Sequence, residues 1–423
     1  MDTQKRTAAA PAGAGCPFRL DLLATDLHDE NESLRALGPA PTVELPGGVL
    51  ARSVTDLGLA RRLMRDPRVS KDPRKHWPVY ASGELPEQWP FRIWVDIRNA
   101  LASEGEEHAR LRQLIAPAFT PRRVRQLQPD IEILVEKLLN ELAGLPAGPA
   151  DLRRHLAWVF PLQVVNLVLS VPSDMEDRFR DLVGANMSTH FTAAEATANG
   201  KAYVDLLREL VEVKRQVPGD DITTQLVQQR DTDVITEQEL IYSLMLLIGA
   251  GHETTMNALD HAIVNLLTHP EQLALVRGGH APWDAVIDET LRRDAPVANI
   301  LLRFAVEHID DPQTGTAIKQ GEAIIINVAA AGRDPQANPD PAAFDITRVP
   351  AGRHIAFGHG VHYCLGAELA RLELRIALDR LFRRFPAMKL AVPRSALRPQ
   401  PSFISNGHLE IPVFLGREIE AMT

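Results

Sequence analysis

The spacing of apolar and polar positions predicts a chain that is mainly α-helical, with a minor β portion. Apolar residues recur at helical spacing along much of the sequence, and the longest such stretch runs from Thr236 to Leu267. Thr236-Glu237-Gln238-Glu239 fits a capping box at its start, and Pro270 follows its end. A helix of about 32 residues rises on the order of 48 Å, so this one crosses a whole domain.

The other elements follow from shorter patterns. Helices are predicted over residues 56–65, 122–142 (with a break at Pro129), 152–170, 175–217 (interrupted near 188–200), 283–293 and 364–385. Strands are predicted over residues 43–45, 49–54, 300–306, 316–319 and 323–328, with a C-terminal hairpin of 403–405 and 408–411. Residues 72–104 hold four prolines and three of the five tryptophans. This segment is typical of an irregular lid or binding loop, or of a surface loop that aromatic residues anchor.

Composition and charge exclude several classes of protein. Lys plus Arg is 46 and Asp plus Glu is 55, for a net charge of −9, which argues against binding nucleic acid. Two cysteines exclude a disulfide-rich scaffold, and no apolar run is long enough to span a membrane. We expect residues 1–20 to be a flexible lead and the protein to be cytoplasmic.

The segment richest in chemistry is Phe357-Gly358-His359-Gly360-Val361-His362-Tyr363-Cys364-Leu365-Gly366. Its first two glycines predict a tight bend, and Cys364 falls where a helix is predicted to begin. Free amides at a helix start lower a thiol pKa and favour the thiolate, the form that binds metal. Two alternatives are a buried, inert cysteine and a zinc site formed by His359, His362 and Cys364.

The middle of the longest helix contains Gly249-Ala250-Gly251-His252-Glu253-Thr254-Thr255. Each glycine costs a helix interior up to about 1 kcal/mol relative to alanine, so this weak point indicates either a functional site or a close helix crossing. His252-Glu253 begins like a zinc-protease helix, but Met256 occupies the place of the second histidine, which excludes that site.

The pattern Phe357-Gly358-x-Gly360-x-His362-x-Cys364-x-Gly366 resembles the haem-binding signature of the cytochrome P-450 superfamily at every defined position. The resemblance implies the cytochrome P-450 fold, as a single triangular helical domain with small β-sheets over residues 21–423. It also implies the soluble bacterial, actinomycete-like type, with haem b bound and Cys364 as the ligand of its iron. Phe357, Gly358 and Gly366 are then part of the loop that lies against the haem.

The same resemblance assigns roles on the long helix. Ala250, Gly251, Glu253 and Thr254 match the Ala-Gly-x-acid-Thr motif of the family. Thr254 is then expected to hydrogen-bond dioxygen, while Glu253 relays protons from solvent. Ala250 and Gly251 are expected to lie against the haem.

Charged residues complete the expected haem site. Four residues are expected to bind the haem propionates: His108, Arg112, Arg303 and His362. Three residues match the structural Glu-Arg-Arg network of the family: Glu289, Arg292 and Arg348. The stretch before His108 lacks the prolines usual in the family motif, which leaves the local backbone open.

The resemblance implies an oxygen-dependent monooxygenase that hydroxylates a bulky hydrophobic substrate such as a polyketide, terpenoid or steroid. The expected pocket residues are Trp94, Met187, Phe191, Val297, Ala298, Asn299, Ile300, Phe403 and Ile404, with Asn299 and Ser402 as orienting polar groups. Epoxidation, demethylation or ring coupling on the same haem is the alternative, and a haem sensor or carrier without turnover is a third. Electrons are expected from NAD(P)H through a ferredoxin reductase and a ferredoxin that docks on a monomer at Arg112, Arg353, Arg371 and Arg375.

Overall fold

The computed structural model describes residues 17–187, 193–349 and 354–416. The helices are α1 (Leu27–Ala36), α2 (Leu57–Leu63), α3 (Pro73–His76), α4 (Pro78–Ala81), α5 (Ile93–Asp96), α6 (Gly105–Ile115), α7 (Pro121–Gly144), α8 (Val159–Leu169), α9 (Glu176–Met187), α10 (Ala193–Gln216), α11 (Ile222–Asp231), α12 (Glu237–Thr268), α13 (Pro270–Arg277), α14 (Trp283–Arg293), α15 (Val328–Gly332) and α16 (Ala367–Arg384). The strands are β1 (Phe18–Arg19), β2 (Thr42–Leu45), β3 (Val49–Val54), β4 (Val69–Ser70), β5 (Ala150–Asp151), β6 (Asn299–Ala305), β7 (Ile309–Asp311), β8 (Thr316–Ile318), β9 (Ala323–Asn327), β10 (Lys389–Leu390) and β11 (Pro412–Phe414). The predicted mainly α-helical fold with small sheets is confirmed.

The largest sheet has the strand order β1-β2-β3-β9-β6-β4. Strands β2 and β3 form the predicted hairpin around Pro46–Gly48, and β3 pairs in parallel with β9. Strand β4 is antiparallel to β6, with Ser70 opposite Phe304. One step further along this register, Lys71 follows β4 opposite Arg303 of β6. The sheet therefore brings two cationic residues together that lie far apart in sequence.

Helix α12 is the central helix, and the predicted capping box is present: Thr236 and Glu239 each bond the other's backbone amide. Its buried side chains pack in a large core with α7, α14 and α16. A Cβ at Gly251 would lie 2.9 Å from Val165 Cγ2 of α8. Since real Cβ atoms do not approach so closely, Gly251 is the residue that lets the two helices cross. The helix-crossing alternative thus holds for this glycine.

The predicted break at Pro129 is wrong, since α7 continues from Pro121 to Gly144 through that residue. Proline removes one backbone hydrogen bond from a helix and usually kinks or ends it. Here the buried side chains of Ile131, Val135 and Leu138 follow at helical spacing. Their packing stabilises the helix across the proline.

The predicted C-terminal hairpin is also wrong. Ser405 pairs with Val297 and His408 with Pro399 as isolated bridges, and the two predicted strands do not pair with each other. A Cβ at Gly407 would overlap the side chain of Asn257 on α12. The glycine therefore serves a close approach to α12 and not a two-residue turn, a distinction that the local sequence does not contain.

Residues 72–104 fold as the short helices α3, α4 and α5 joined by irregular backbone. Trp77 and Trp89 are 2% and 3% exposed, with ring centroids 5.8 Å apart, whereas Trp94 is 39% exposed. The anchored-loop alternative therefore fits the first part of the segment.

The N-terminal prediction needs one correction. Phe18 and Arg19 form β1, which pairs with β2, so this end of the predicted flexible lead is part of the sheet. Residues 1–16 lie outside the described residues. None of the described helices is long and apolar enough to cross a membrane.

Candidate active site

The loop before Cys364 makes the predicted tight bend. Gly358 and Gly360 have φ angles of +74° and +72°, a left-handed conformation that favours glycine. Within the loop, the amide of Cys364 donates to the carbonyl of Phe357 at 2.7 Å. A Cβ at Gly360 would lie 3.0 Å from the Met64 carbonyl oxygen just after α2. The bend and the packing against α2 fix where the sulfur lies.

The protein around the sulfur does not lower its pKa. Helix α16 begins at Ala367, three residues after Cys364, so the prediction that the helix starts at the cysteine is wrong. Burial raises the pKa of the Cys364 thiol, and neither the hydrogen bond from the Gly366 amide nor the charge of Arg112 reverses this. A metal ion deprotonates a coordinating thiol outright. A bound metal ion would therefore favour the thiolate that burial alone disfavours.

Two polar side chains are present in the middle of α12. The Thr254 hydroxyl donates to the Ala250 carbonyl of the preceding turn at 2.6 Å, which leaves its oxygen as an acceptor. Glu253 Oε1 accepts from Gln400 Nε2 at 3.0 Å. Ala250 is exposed in the protein chain alone, as expected of a residue beside a ligand. A side chain at Gly251 would meet Val165 of α8, and the role of this glycine as a cofactor contact stays a prediction.

Cationic and imidazole side chains collect beside the cysteine loop. The rings of His108 on α6 and His362 lie with their centroids 4.2 Å apart. Arg112, one turn after His108, donates to the Tyr363 carbonyl at 2.8 Å. Arg303 belongs to the same cluster, because its charge helps to lower the pKa of His362. The structure thus brings together the four residues predicted to bind propionates.

In the described part of the chain, no ion pair joins the side chains of this cluster to a carboxylate. His108 Nε2 and Arg303 Nη1 are buried and have no hydrogen-bond partner among the described residues. Burial lowers the pKa of Arg303 to about 10. The pKa of His362 falls to about 2, through burial first and then through Lys71, His108 and the nearby arginines. Buried donors without acceptors are costly, so the cluster is built to receive an anionic ligand.

Lys71 is a member of this cluster that the sequence analysis missed. It is 8% exposed, and its Nζ has one weak contact, 3.4 Å to the Leu301 carbonyl. Burial, followed by the charge of Arg303, lowers its pKa well below that of a free lysine. Only the pairing of β4 with β6 places it there. The single available signal was a lysine directly after a two-residue strand, and that signal is weak.

The three residues of the predicted Glu-Arg-Arg network meet at one buried carboxylate. Arg292 Nε and Nη2 donate to the two Glu289 oxygens at 2.7 and 2.8 Å. Arg348 Nε donates to Glu289 Oε1 at 2.9 Å. Arg292 also bonds the carbonyls of Gly332 and Ala343. The network therefore joins α14 to the segment that leads to the cysteine loop.

Comparison with known proteins agrees with this geometry. The family model described as Cytochrome P450 matches residues 75–277 and 283–402. The chain belongs to the cytochrome P450 family. The 2-hydroxy-5-methyl-1-naphthoate 7-hydroxylase of Streptomyces carzinostaticus is 42% identical, covering 95% of this chain and 98% of that protein.

Two solved P450 structures extend the comparison. CYP154A1 from Streptomyces coelicolor A3(2) is 45% identical with a TM-score of 0.88, covering 94% of this chain and 100% of that one. Testosterone-bound CYP154C4 from Streptomyces sp. ATCC 11861 is 40% identical with a TM-score of 0.89, covering 95% and 98%. The chain is thus a P450-type monooxygenase related to bacterial hydroxylases.

The residues present fit the haem b of a P450. Haem b supplies the iron at which P450 enzymes activate dioxygen with electrons from a reduced donor. Its two propionates match the unpartnered donors of His108 and Arg303, and the half-buried Cys364 sulfur offers the iron ligand. Phe357 lies beside this loop, with the Arg371 guanidinium 5.2 Å from its ring centroid. Gly366 has only the Phe119 ring near the place of its absent side chain.

The predicted substrate residues are only partly brought together. The start of β6 meets the C-terminal segment: the Ala298 amide donates to the Ile404 carbonyl at 2.7 Å, and Val297 bridges Ser405. Phe403 is 3% exposed and packs in a core cluster, so it is a core residue. Ile300 and Ile404 are partly buried.

The predicted orienting groups are already engaged. Asn299 Nδ2 donates to the Phe403 carbonyl at 2.9 Å, and the Ser402 hydroxyl accepts from two following amides. Of these two side chains, Asn299 has a buried oxygen, Oδ1, that has no hydrogen-bond partner in the described structure. Phe191 and the side chain of Met187 lie outside the described residues.

Proposed function

We propose that this P450 inserts one atom of dioxygen into a C–H bond of a bulky hydrophobic substrate, with Cys364 as the ligand of the haem iron. The observation that carries the proposal is the juxtaposition of the cysteine loop with buried donors that lack a negative partner. That combination suits a ligand with a metal at its centre and carboxylates at its edge. His108, Arg112, Arg303, His362 and Lys71 would hold those carboxylates.

Glu253 and Thr254 are proposed to deliver protons. The Thr254 oxygen can accept a hydrogen bond from a proton donor, and its own proton would become available when the hydroxyl turns away from the Ala250 carbonyl. Glu253, on the adjacent position of α12, can collect protons from solvent at its carboxylate. A haem carrier needs no such pair, so these two residues favour turnover over storage.

The first experiment is the spectrum of the reduced, carbon-monoxide-treated holoprotein. Thiolate ligation predicts a strongly red-shifted band, and Cys364→Ser is expected to abolish that band and the activity. An imidazole-type spectrum in the unmodified protein would reject Cys364 as the ligand. The control is Ser33→Ala, at an exposed serine of α1, which is expected to change neither the band nor the activity.

The substrate proposal is a polyketide, terpenoid or steroid-like molecule. Support comes from the aromatic-acid hydroxylase and the testosterone-bound relative described above. Titration with testosterone, a macrolide and a naphthoate, with iron spin state as the readout, is expected to select one class. Product analysis with labelled dioxygen then separates hydroxylation from ring coupling, which leaves no label in the product.

Electrons are proposed to come from an acidic ferredoxin that docks near the cysteine loop. Arg371 forms an ion pair with Asp288, and Arg375 forms one with Asp284 at 2.9 Å. Each of these two ion pairs therefore carries no net charge. Arg353 lies outside the described residues. Arg375→Glu would leave two adjacent carboxylates, which is expected to slow reduction by ferredoxin but not by dithionite.

The control for this charge reversal is Arg398→Glu, which breaks a comparable exposed pair with Glu410 in the C-terminal segment. Equal effects of the two substitutions on reduction by ferredoxin would contradict docking near Arg375. The same rates measured at increasing salt give a second readout, because attraction between exposed charges is screened.

A further inference from the structure

The carboxylate of Glu253 is held by a side chain far away in sequence. Gln400 Nε2 donates to Glu253 Oε1 at 3.0 Å. No other hydrogen bond to this carboxylate is present in the described structure. One oxygen of Glu253 is thus fixed, and the other is left without a partner.

The orientation of the Gln400 amide is determined by its second partner. Arg153 Nη2 donates to Gln400 Oε1 at 2.8 Å. A guanidinium can only donate, so the amide oxygen must face Arg153. The amide nitrogen therefore must face Glu253, and the contact is a donated hydrogen bond to the carboxylate.

Arg153 is itself fixed by buried groups on α12. Its Nη1 donates to Asp260 Oδ2 at 2.7 Å and to Asn257 Oδ1 at 3.1 Å. The Asp260 side chain is fully buried and also accepts from the backbone amide and Nδ1 of His408. Gln400 therefore cannot rotate away without losing its hydrogen bonds to both Arg153 Nη2 and Glu253 Oε1.

The segment that carries Gln400 also contacts the predicted substrate residues. The backbone N–H of Gln400 donates to the Gly407 carbonyl at 2.8 Å, which closes the segment on itself. Between these two residues, the carbonyls of Phe403 and Ile404 accept from Asn299 and Ala298. The same segment thus bonds the residues at the start of β6 and carries the glutamine that bonds Glu253.

We propose that Gln400 is a positioning residue for Glu253: it holds Oε1 and leaves Oε2 to carry the proton. This inference rests on the proposed role of Glu253 in proton delivery. The residue acts through Glu253 and is not proposed to touch the haem or the substrate.

The test uses Gln400→Met, which keeps the length of the side chain and removes its hydrogen bonds. The rate of NADH oxidation is measured for the holoenzyme with a surrogate ferredoxin and its reductase. It is measured twice, once without any substrate and once with testosterone as the probe substrate. We expect oxidation to slow about tenfold, since small misplacements of a catalytic group cost up to about a hundredfold. The solvent isotope effect in D2O is expected to rise, because proton transfer becomes slower. Gln336→Met, at an exposed glutamine, is the control and is expected to change neither value.

The double variant Glu253→Gln/Gln400→Met separates the outcomes. If Gln400 acts through Glu253, the double variant matches Glu253→Gln alone. A slow Glu253→Gln with an unchanged Gln400→Met would overturn this inference and leave the role of Glu253 standing. The inference would also be overturned if the double variant oxidised NADH more slowly than Glu253→Gln by the same factor that Gln400→Met alone causes. An unchanged Glu253→Gln would instead refute the proposed function of Glu253.

A loss of folding in Gln400→Met is separated from loss of positioning by the reduced carbon monoxide spectrum, which reports haem content. Gln400→Asn is the second variant, because it keeps the amide but is too short to span both partners. It is expected to raise the solvent isotope effect as Gln400→Met does. An unchanged isotope effect in a variant with full haem content would contradict the proposal.

Discussion

Replacing Lys71 with methionine is expected to act in opposite directions on the free protein and on haem binding. Lys71 is buried beside Arg303, and its Nζ has only the weak contact to the Leu301 carbonyl. Methionine has a similar length and no charge, so the substitution removes an uncompensated buried donor. Such a group costs about 1–3 kcal/mol. The apoprotein should therefore gain roughly that free energy of unfolding.

Haem binding should weaken by the same substitution. A hydrogen bond from a charged donor to a carboxylate contributes about 1.5–3 kcal/mol, so losing one near 2 kcal/mol raises the dissociation constant of haem about 30-fold. Urea denaturation of the apoprotein gives the first quantity. Titration of the apoprotein with haem, followed by absorbance, gives the second.

Lys75 provides the control, since it lies four residues further along on α3, has a 69% exposed side chain and pairs with Asp72. Lys75→Met is expected to leave haem affinity unchanged and to alter stability by less than about 0.5 kcal/mol. A Lys71→Met apoprotein that is less stable than the unmodified one would refute the claim that this charge is uncompensated. Unchanged haem affinity would refute its assignment to the haem site.

Three further substitutions test packing, charge pairing and acid stability. Gly251→Ala should lower the free energy of unfolding by about 1–3 kcal/mol through its clash with Val165, and a second substitution, Val165→Ala, should restore part of that loss. The control Gly200→Ala, which has open space around it, should instead raise the free energy of unfolding by about 0.5–1 kcal/mol. Equal effects of Gly251→Ala and Gly200→Ala in urea denaturation would contradict the packing argument. Glu289→Gln should cost about 3 kcal/mol in the same assay because it leaves buried arginines without their counter-charge, and a change near zero would show that the network does not stabilise the fold. Burial lowers the pKa of His252 from 6.5 to about 4. Between pH 6.5 and pH 4 the unfolded chain therefore binds more protons than the folded protein. The free energy of unfolding should fall by up to ~3 kcal/mol as the pH falls from 6.5 to 4. His252→Asn should flatten that slope in acid titrations of the apoprotein, and an unchanged slope would assign it to other groups.

Local patterns were sufficient for the elements whose signals are contained in a few residues. The capping box at Thr236 and the glycines at 358 and 360 depend on neighbouring backbone groups, so the sequence predicts them directly. The Pro129 break failed because packing of one helix face outweighed a local penalty. The hairpin at Asn406-Gly407 failed because Gly407 meets α12, a residue-to-helix contact that no local pattern contains.

The chemistry divided in the same way. A ten-residue segment around Cys364 was enough to indicate the family and to propose the iron ligand, since its spacing is fixed by one loop. Local sequence patterns could not identify Lys71 or Gln400, because each reaches its partners only when distant segments pair or pack. The sequence by itself determined the long central helix with its capping box, the bend of the cysteine loop, and which acid and alcohol lie on the long helix. The tertiary structure decided which buried charges lack a counter-ion and what holds Glu253, because burial and contact between distant residues exist only after the chain has packed.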